Sequence, residues 1–144
     1  MTPEQIEKVQ RSFAKIVPFR DEAGLIFYGR LFNIAPDARP LFHGDMDEQA
    51  RKLMAMLAQV VDGLTHLEVI VPVAQALAVK HVEYGVTADQ YPKVGEALIW
   101  TLEQQLGDEF DEETATAWKA AYRTLSDVMV EAAYPGERVG GVSA

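Results

Sequence analysis

The sequence predicts an all-α fold, and three observations support this prediction. Apolar residues recur three and four positions apart along nearly the whole chain of 144 residues, which is the spacing of one helix face. No stretch alternates apolar and polar residues between hairpin dipeptides, as paired strands would. Helix-start and helix-stop signals follow one another from Thr2 to Pro135.

The first two predicted helices are separated by a proline. Thr2-Pro3-Glu4-Gln5 combines an N-cap, a proline at the first helical position and a capping-box glutamine. A helix should therefore run from about Pro3 to Val17, where Pro18 stops it. A second helix should cover about Arg20 to Ile34 and end before Pro36. Its apolar stripe consists of Leu25, Tyr28, Leu31 and Phe32.

A tight corner at residues 40–44 precedes the two middle helices. Residues 45–48 provide a cap for a helix that ends near Gly63 and carries Gln49, Leu53, Met56, Leu57 and Val60 at helical spacing. After a linker around His66, we expect a helix with Pro72 in its first turn and Gly85 as its C-terminal stop. That helix carries Val73, Leu77, His81 and Tyr84.

Two long helices complete the predicted domain. Thr87-Ala88-Asp89-Gln90 resembles a capping box for a helix that reaches about Leu106 and is closed by Gly107. Asp111 opens a last helix from about Glu112 to Ala133. We therefore expect one domain over residues 1–134. Residues 135–144 are rich in glycine and poor in large apolar residues, so we expect them to be disordered.

Composition excludes several classes of protein. With 13 Lys and Arg against 22 Asp and Glu, the net charge of −9 would repel phosphate backbones and anionic membrane surfaces. The chain has no cysteine, which argues against disulfide scaffolds, zinc fingers, iron–sulfur proteins and thiol enzymes. The most apolar run, Val69 to Leu77, is far shorter than the ~20 residues of a membrane span. With no visible signal peptide, we expect a cytoplasmic protein without membrane insertion or nucleic-acid partners.

Three polar side chains, Tyr28, Gln49 and His81, interrupt apolar helical stripes. Each has an ordinary structural explanation: a buried tyrosine with one hydrogen bond, a glutamine at the solvent edge, and a core histidine with satisfied nitrogens. Unpaired buried polar groups cost of order 1–3 kcal/mol each. Three such groups on three apolar faces therefore favour a shared occupant between the helices.

The ordered set of motifs resembles the globin family, in particular the bacterial single-domain globins related to flavohaemoglobins and neuroglobins. The resemblance covers about residues 3–133 and implies a globin fold around a haem pocket. It is carried by Phe32, Pro36 and Phe42, by Gln49 and Leu53 four residues apart, and by residues 80–86, 91–95 and 117–122.

The resemblance implies that His81 is the proximal ligand of haem iron. Because no cysteine is present for a thioether link, the cofactor should be a non-covalently bound haem b. Flavohaemoglobins support this histidine with a tyrosine and a glutamate. Tyr91 matches the tyrosine, whereas Ala133 stands at the glutamate position, with Glu131 nearby. Haem-packing positions are matched by Phe42, Leu53, Leu77, Val86 and Val94, which without the resemblance would be ordinary core residues.

Tyr28 and Gln49 match the positions that hydrogen-bond bound O2 in this branch of the family. A phenol O–H and an amide N–H directed at a partly negative ligand in a dry pocket strengthen its binding. Gly24 and Ala50 match the close crossing of the second and third helices. Three cations flank the pocket in sequence, and they either pair with haem propionates or are simply solvated: Arg51, Lys52 and Lys80.

Two classes of function are compatible with a haem pocket. Bound O2 can react with nitric oxide to give nitrate, as a nitric oxide dioxygenase does, and 144 residues leave no room for flavin and nicotinamide domains, so an external reductase is expected. Reversible binding of O2 for storage, delivery or sensing is the alternative, with CO and nitric oxide as further ligands. A haem-free interaction domain is disfavoured by His81, Tyr28 and Gln49. The sequence leaves both enzymatic activity and the oligomeric state open.

Overall fold

The computed structural model describes residues 1–83 and 85–134, and within these ranges the chain contains helices and no strand. This confirms the all-α prediction. The six α-helices are α1 (Pro3–Ile16), α2 (Arg20–Ile34), α3 (Met46–Asp62), α4 (Leu67–Glu83), α5 (Gln90–Leu106) and α6 (Glu112–Ala133). The expected disordered tail at residues 135–144 and Tyr84 lie outside the described residues. None of the helices in the described ranges combines the length and hydropathy needed to cross a membrane.

Local capping fixes three of the helix starts at the predicted places. Thr2 and Gln5 form a complete capping box at α1, each side chain bonding to the other residue's backbone N–H. The Asp45 side chain accepts from the Asp47 N–H at α3. Likewise, the Asp111 side chain accepts from the Thr114 N–H at α6. These bonds satisfy backbone donors that have no partner within the helix.

Two predicted helix starts were wrong. Helix α4 begins at Leu67, so Pro72 lies inside the helix rather than in its first turn. Because Pro72 is exposed to solvent, the helix tolerates the loss of the backbone hydrogen bond that proline cannot donate. Helix α5 begins at Gln90 because residues 88 and 89 form a turn, which is closed by a hydrogen bond from the Gln90 N–H to the Thr87 carbonyl. The Gln90 side chain makes its half of the expected capping box by accepting from the Thr87 N–H at 3.0 Å.

The core has two parts that meet at α6. The main cluster is built from α1, α2, α3, α5 and α6, and a smaller one lies where α4 packs on α6. Helices α2 and α3 approach closely at Gly24, where an added Cβ would lie 2.7 Å from the Ala50 Cβ. The predicted crossing at Gly24 and Ala50 is therefore confirmed, and it places Tyr28 of α2 beside the first turns of α3.

Candidate functional site

Tyr28 and Gln49 are brought together by the crossing of α2 and α3. The Tyr28 side chain is buried, with 6% of its surface exposed, and Gln49 is half-buried. The Gln49 Nε2 donates a hydrogen bond to the Tyr28 hydroxyl oxygen at 3.2 Å. Because the amide is the donor, the Tyr28 hydroxyl keeps its own hydrogen for another acceptor. The pair thus presents a buried O–H donor that is oriented by a neighbouring amide.

An aromatic cluster fixes the ring of Tyr28. Phe32 stacks on it at 5.9 Å between ring centroids, while Phe27 and Phe42 meet it edge-on at 5.0 and 5.2 Å. Arg39 holds this arrangement by donating to the Phe42 carbonyl oxygen at 3.2 Å and by lying 5.2 Å from the Phe32 ring centroid. Burial raises the pKa of the Tyr28 hydroxyl, and the Gln49 hydrogen bond partly offsets that rise. The hydroxyl is therefore a neutral donor at ordinary pH.

His81 lies on the last turns of α4 with one ring nitrogen in contact with its own helix. Its Nδ1 is 2.8 Å from the Leu77 carbonyl oxygen. A carbonyl only accepts hydrogen bonds, so Nδ1 carries the hydrogen and the lone pair of the neutral ring is on Nε2. This is the tautomer required of a histidine that binds a metal through Nε2, with its second nitrogen oriented by a backbone acceptor.

The donor set fits a cofactor-borne metal better than a metal held by protein ligands alone. In residues 1–83 and 85–134, no group of three or more His, Cys, Asp or Glu side chains is placed to hold a metal ion. A single histidine suffices where a macrocycle supplies the other ligands.

The five predicted haem-packing residues border both parts of the core. Phe42, Leu53 and Val94 pack on the main cluster, whereas Leu77 and Val86 pack on the smaller one. All five are half-buried in this structure. A flat apolar group between the two clusters would bury them further, so their positions fit the group that the sequence implies.

Tyr91 is buried, and its hydroxyl has no hydrogen-bond partner among residues 1–83 and 85–134. Burial, together with the neighbouring Tyr134, raises the pKa of Tyr91 to about 12. The His81 support implied by the resemblance is therefore not made by the Tyr91 hydroxyl in this structure, where Nδ1 faces the Leu77 carbonyl instead. Glu131 is exposed to solvent and Ala133 is half-buried.

The polar residues that flank the site in sequence lie on the surface of the protein. His43, Arg51 and Lys80 are exposed, and Lys52 forms an ion pair with Glu48 at 3.7 Å. A surface cavity of about 440 Å³ between α2, α5 and α6 contains none of the predicted site residues. It is lined by charged and aromatic side chains that include Arg30, Trp100 and Lys119.

Two polar residues make long-range hydrogen bonds near the site that the sequence analysis did not predict. The buried side chain of Gln90 reaches Asp37 of the 3-10 segment Pro36–Leu41, at 3.2 Å. The Tyr134 hydroxyl donates to the Val86 carbonyl oxygen. Gln90 carried a signal only as a capping-box residue, and Tyr134 carried none, because both contacts join residues about fifty positions apart.

Comparisons with known proteins agree with these observations. A family model described as Globin matches residues 25–129. The flavohemoprotein of Halalkalibacterium halodurans is 32% identical over 108 residues, which cover 73% of this chain and 26% of that protein. For the flavohemoprotein of Bordetella parapertussis the identity is 34% over 107 residues, covering 72% and 27%. The chain thus spans about a quarter of the length of these curated relatives.

A solved structure has the same fold. The bacterial globin from Campylobacter jejuni matches with a TM-score of 0.80 and 26% sequence identity. The match covers 92% of this chain and 96% of that one.

Proposed function

The chain belongs to the globin family, and from this premise we propose that His81, Tyr28 and Gln49 act in one haem pocket that binds diatomic gases. A globin with flavohemoprotein relatives implies a haem cofactor. We assign residues 1–134 as the haem-binding domain and the cofactor as haem b, bound without a covalent link because the chain has no cysteine. The observation that carries the proposal is the hydrogen bond from Gln49 to the buried Tyr28 hydroxyl.

His81 would bind the haem iron through Nε2, while the Leu77 carbonyl holds its Nδ1–H. The macrocycle would lie against the half-buried residues of both core clusters, and Tyr91 would contribute its buried ring to the same region. The half-buried residues against which the macrocycle would lie are Phe42, Leu53, Leu77, Val86 and Val94. A bound haem would gain free energy from covering these side chains, at about 25 cal/mol per Å² of apolar surface removed from water.

Tyr28 would control how long O2 stays bound. Its hydroxyl hydrogen is available to an acceptor, since the bond from Gln49 occupies only an oxygen lone pair. The aromatic cluster excludes water and fixes the ring, so the donor loses little freedom when a ligand arrives. Gln49 would act mainly through Tyr28, by holding its hydroxyl in one orientation.

We further propose that the retained O2 is used to convert nitric oxide to nitrate. When bound, the haem supplies an iron atom that binds O2 and gives up one electron as O2 and nitric oxide combine to nitrate. The residues around Tyr28 would hold O2 in place until nitric oxide arrives. A one-electron reductant must then restore the ferrous state, and we propose an external flavin-dependent reductase for this step. His43 is exposed to solvent, whereas the Tyr28 side chain is buried, so we propose that His43 would not bind the iron and that the ligand-free ferrous iron would be five-coordinate.

The test is nitric oxide turnover by the oxygenated protein in the presence of a flavin reductase and its nicotinamide donor. Many molecules of nitrate per haem, together with slow O2 release, are expected. One nitrate per haem followed by arrest, while the reductase still reduces the haem, would contradict turnover and leave reversible O2 binding as the function. A bis-histidine ferrous spectrum that disappears in His43→Ala would contradict the five-coordinate state.

A further inference from the structure

Gln90 is a buried polar residue, and the oxygen and nitrogen of its side-chain amide bond to two different segments of the chain. Its exposed fraction is 8%. The Oε1 accepts from the Thr87 N–H at 3.0 Å, and the Nε2 donates to the Asp37 carboxylate at 3.2 Å. Because buried polar groups are costly to leave without partners, both bonds restrict the position of the amide. Gln90 therefore ties the 3-10 segment Pro36–Leu41 to residues 85–89.

Each of the tied segments leads to one of the predicted site residues. The 3-10 segment runs directly into Phe42, whose ring meets the Tyr28 ring edge-on at 5.2 Å. Residues 85–89 follow α4, and the Val86 N–H donates to the His81 carbonyl oxygen at 2.9 Å. One side chain thus connects the aromatic neighbour of Tyr28 to the backbone of His81.

Leu41 makes a second contact between the same two segments. Gly85 has a φ of 94°, a backbone conformation that glycine adopts at little cost. A Cβ added at Gly85 would lie 3.2 Å from the Leu41 Cδ2, so Leu41 packs directly over this residue. The apolar contact at Gly85 and the amide bridge at Thr87 hold the junction at two neighbouring points.

We propose that Gln90 is a positioning residue that couples the two sides of the haem pocket. With the bridge in place, the corner that carries Phe42 and the segment that follows His81 keep one relative position. Without it, both can shift, and the orientations of the Tyr28 ring and the His81 imidazole change together. This proposal rests on the roles proposed above for Tyr28 and His81.

The first test compares Gln90→Leu with Gln10→Leu in the haem-loaded protein. Gln10 is a matched control, since its side-chain amide also makes a long-range hydrogen bond, to the Val61 carbonyl at 3.1 Å, in a half-buried position away from this junction. Resonance Raman spectra report the iron–histidine stretch on the His81 side and the C–O stretch of the CO complex on the Tyr28 side.

Gln90→Leu should shift or broaden both bands and accelerate haem transfer to an apoglobin acceptor by about 2- to 10-fold, the range expected for one lost hydrogen bond. Gln10→Leu should change neither band. A lower melting temperature in Gln90→Leu with both bands unchanged would mean that the residue only stabilises the fold, and would overturn the proposal. A shift of one band alone would also overturn it, because the two sides would then not be coupled.

The second test isolates the bond to Asp37. Asp37→Ala should give the same spectra as Gln90→Leu. Asp37→Asn should keep the spectra of the unaltered protein, because an amide oxygen still accepts from the Gln90 Nε2. The double variant of Asp37→Ala and Gln90→Leu should be no worse than either single variant. Additive effects would overturn the proposal.

Hydrogen exchange separates this proposal from the function on which it rests, because it reports the Gln90 bridge itself and not the haem spectrum. In the full-length protein as purified, Gln90→Leu should accelerate exchange of the Thr87 and Val86 amides, and unchanged exchange would refute the bridge. Failure of the haem-site assignment would instead appear as an unaltered haem spectrum in His81→Gly.

Discussion

The Tyr28 side and the His81 side of the proposed pocket are built differently. On the Tyr28 side, the Tyr28 ring and three phenylalanine rings from α2 and the following corner lie 5.0 to 5.9 Å from their neighbours. Around His81, helix α4 packs mainly on α6 and leaves Val69, Val79 and Val82 with 62%, 52% and 41% of their surfaces exposed. The first side is held by packing among its own residues, whereas the second has a single well-packed neighbour.

This difference shows how the two sides can do different tasks. A densely packed aromatic cluster holds a hydrogen-bond donor in one direction, which suits control of a small ligand. A thinly packed helix depends more on the few polar bonds that hold its end, such as those to Leu77, Val86 and Thr87, and on whatever its histidine binds. Substitutions on the His81 side should therefore release the cofactor, and substitutions on the Tyr28 side should keep the cofactor but alter the ligand.

The largest expected effect is that of His81→Gly. Losing the residue that binds the iron should weaken haem binding more than losing a residue that only hydrogen-bonds to it, so we expect haem loss to accelerate by at least about 100-fold. Added imidazole should bind in the space left by the side chain and restore a histidine-like spectrum. An unchanged imidazole-ligated spectrum with no response to imidazole would show that His81 is not the ligand.

Tyr28→Phe should have the next largest effect while leaving haem bound. A hydrogen bond to a partly charged ligand contributes roughly 1.5–3 kcal/mol, so O2 release should accelerate by about 10- to 100-fold in stopped-flow measurements. Bound CO carries less negative charge, and its release should change far less. Equal effects on both gases would indicate altered packing instead of a lost hydrogen bond.

Gln49→Leu sharpens this prediction because the Gln49 amide donates to the Tyr28 hydroxyl. Its effect on O2 release should be smaller than that of Tyr28→Phe. The double variant should be non-additive, since both residues act through one hydroxyl. An O2 release rate that is unchanged in Tyr28→Phe would remove Tyr28 from the site.

The sequence predicts some helix starts of the molecule better than others. Caps at Thr2, Asp45 and Asp111 use bonds that span two or three residues, so their signals are local and the helix starts were correct. The predicted start of α4 was wrong. Pro72 was interpreted as a first-turn proline, but the helix already begins at Leu67. Local propensity cannot distinguish these two positions when the proline faces solvent.

Helical periodicity and capping signals do not predict contacts between residues that are far apart in the sequence. Tyr28 and Gln49 are 21 positions apart, and only the resemblance to a family placed them in one site. The bond from Gln90 to Asp37 spans 53 positions, and no periodicity or cap predicts it. Such contacts depend on how helices cross, which a single sequence does not encode in any short window.

The crossing of α2 and α3 supplies a prediction of intermediate size on the Tyr28 side. An added methyl at Gly24 would lie 2.7 Å from the Ala50 Cβ and 3.1 Å from the Ala50 carbonyl oxygen, so the α3 backbone would have to move. We expect Gly24→Ala to lower the free energy of unfolding by about 1–3 kcal/mol in urea titrations. The displacement of α3 should also weaken O2 retention, by separating Gln49 from Tyr28.

Gly29→Ala on the same helix is the matched control. A Cβ at Gly29 meets no atom within 4 Å, and the residue is exposed. Replacing a helix-interior glycine with alanine under these conditions should raise the free energy of unfolding by about 0.5–1 kcal/mol. If the two variants were equally stable, the close crossing would not limit the packing of this side.

The smallest expected effect is that of Tyr91→Phe, on the His81 side. The Tyr91 hydroxyl is buried without a hydrogen-bond partner in the part of the chain that the structure describes, so its removal deletes an unsatisfied polar group and keeps the packed ring. At neutral pH the free energy of unfolding should rise slightly, by less than about 1 kcal/mol. Tyr122→Phe provides the contrast, since the Tyr122 hydroxyl donates to the Tyr91 carbonyl, and its loss should be destabilising.

The alkaline range tests the same hydroxyl by its titration. Burial raises the pKa of Tyr91 from 10.0 to about 12, so the folded state keeps a proton that the unfolded state loses first. Titration of Tyr91 therefore leaves the free energy of unfolding unchanged below pH 10 and lowers it as the pH rises towards 12. Tyr91→Phe should make the decline in stability over this interval shallower. If Tyr91→Phe were instead as destabilising as Tyr122→Phe at neutral pH, the hydroxyl would have a hydrogen-bond partner in solution. The His81 side would then be held by a polar contact that this structure does not contain.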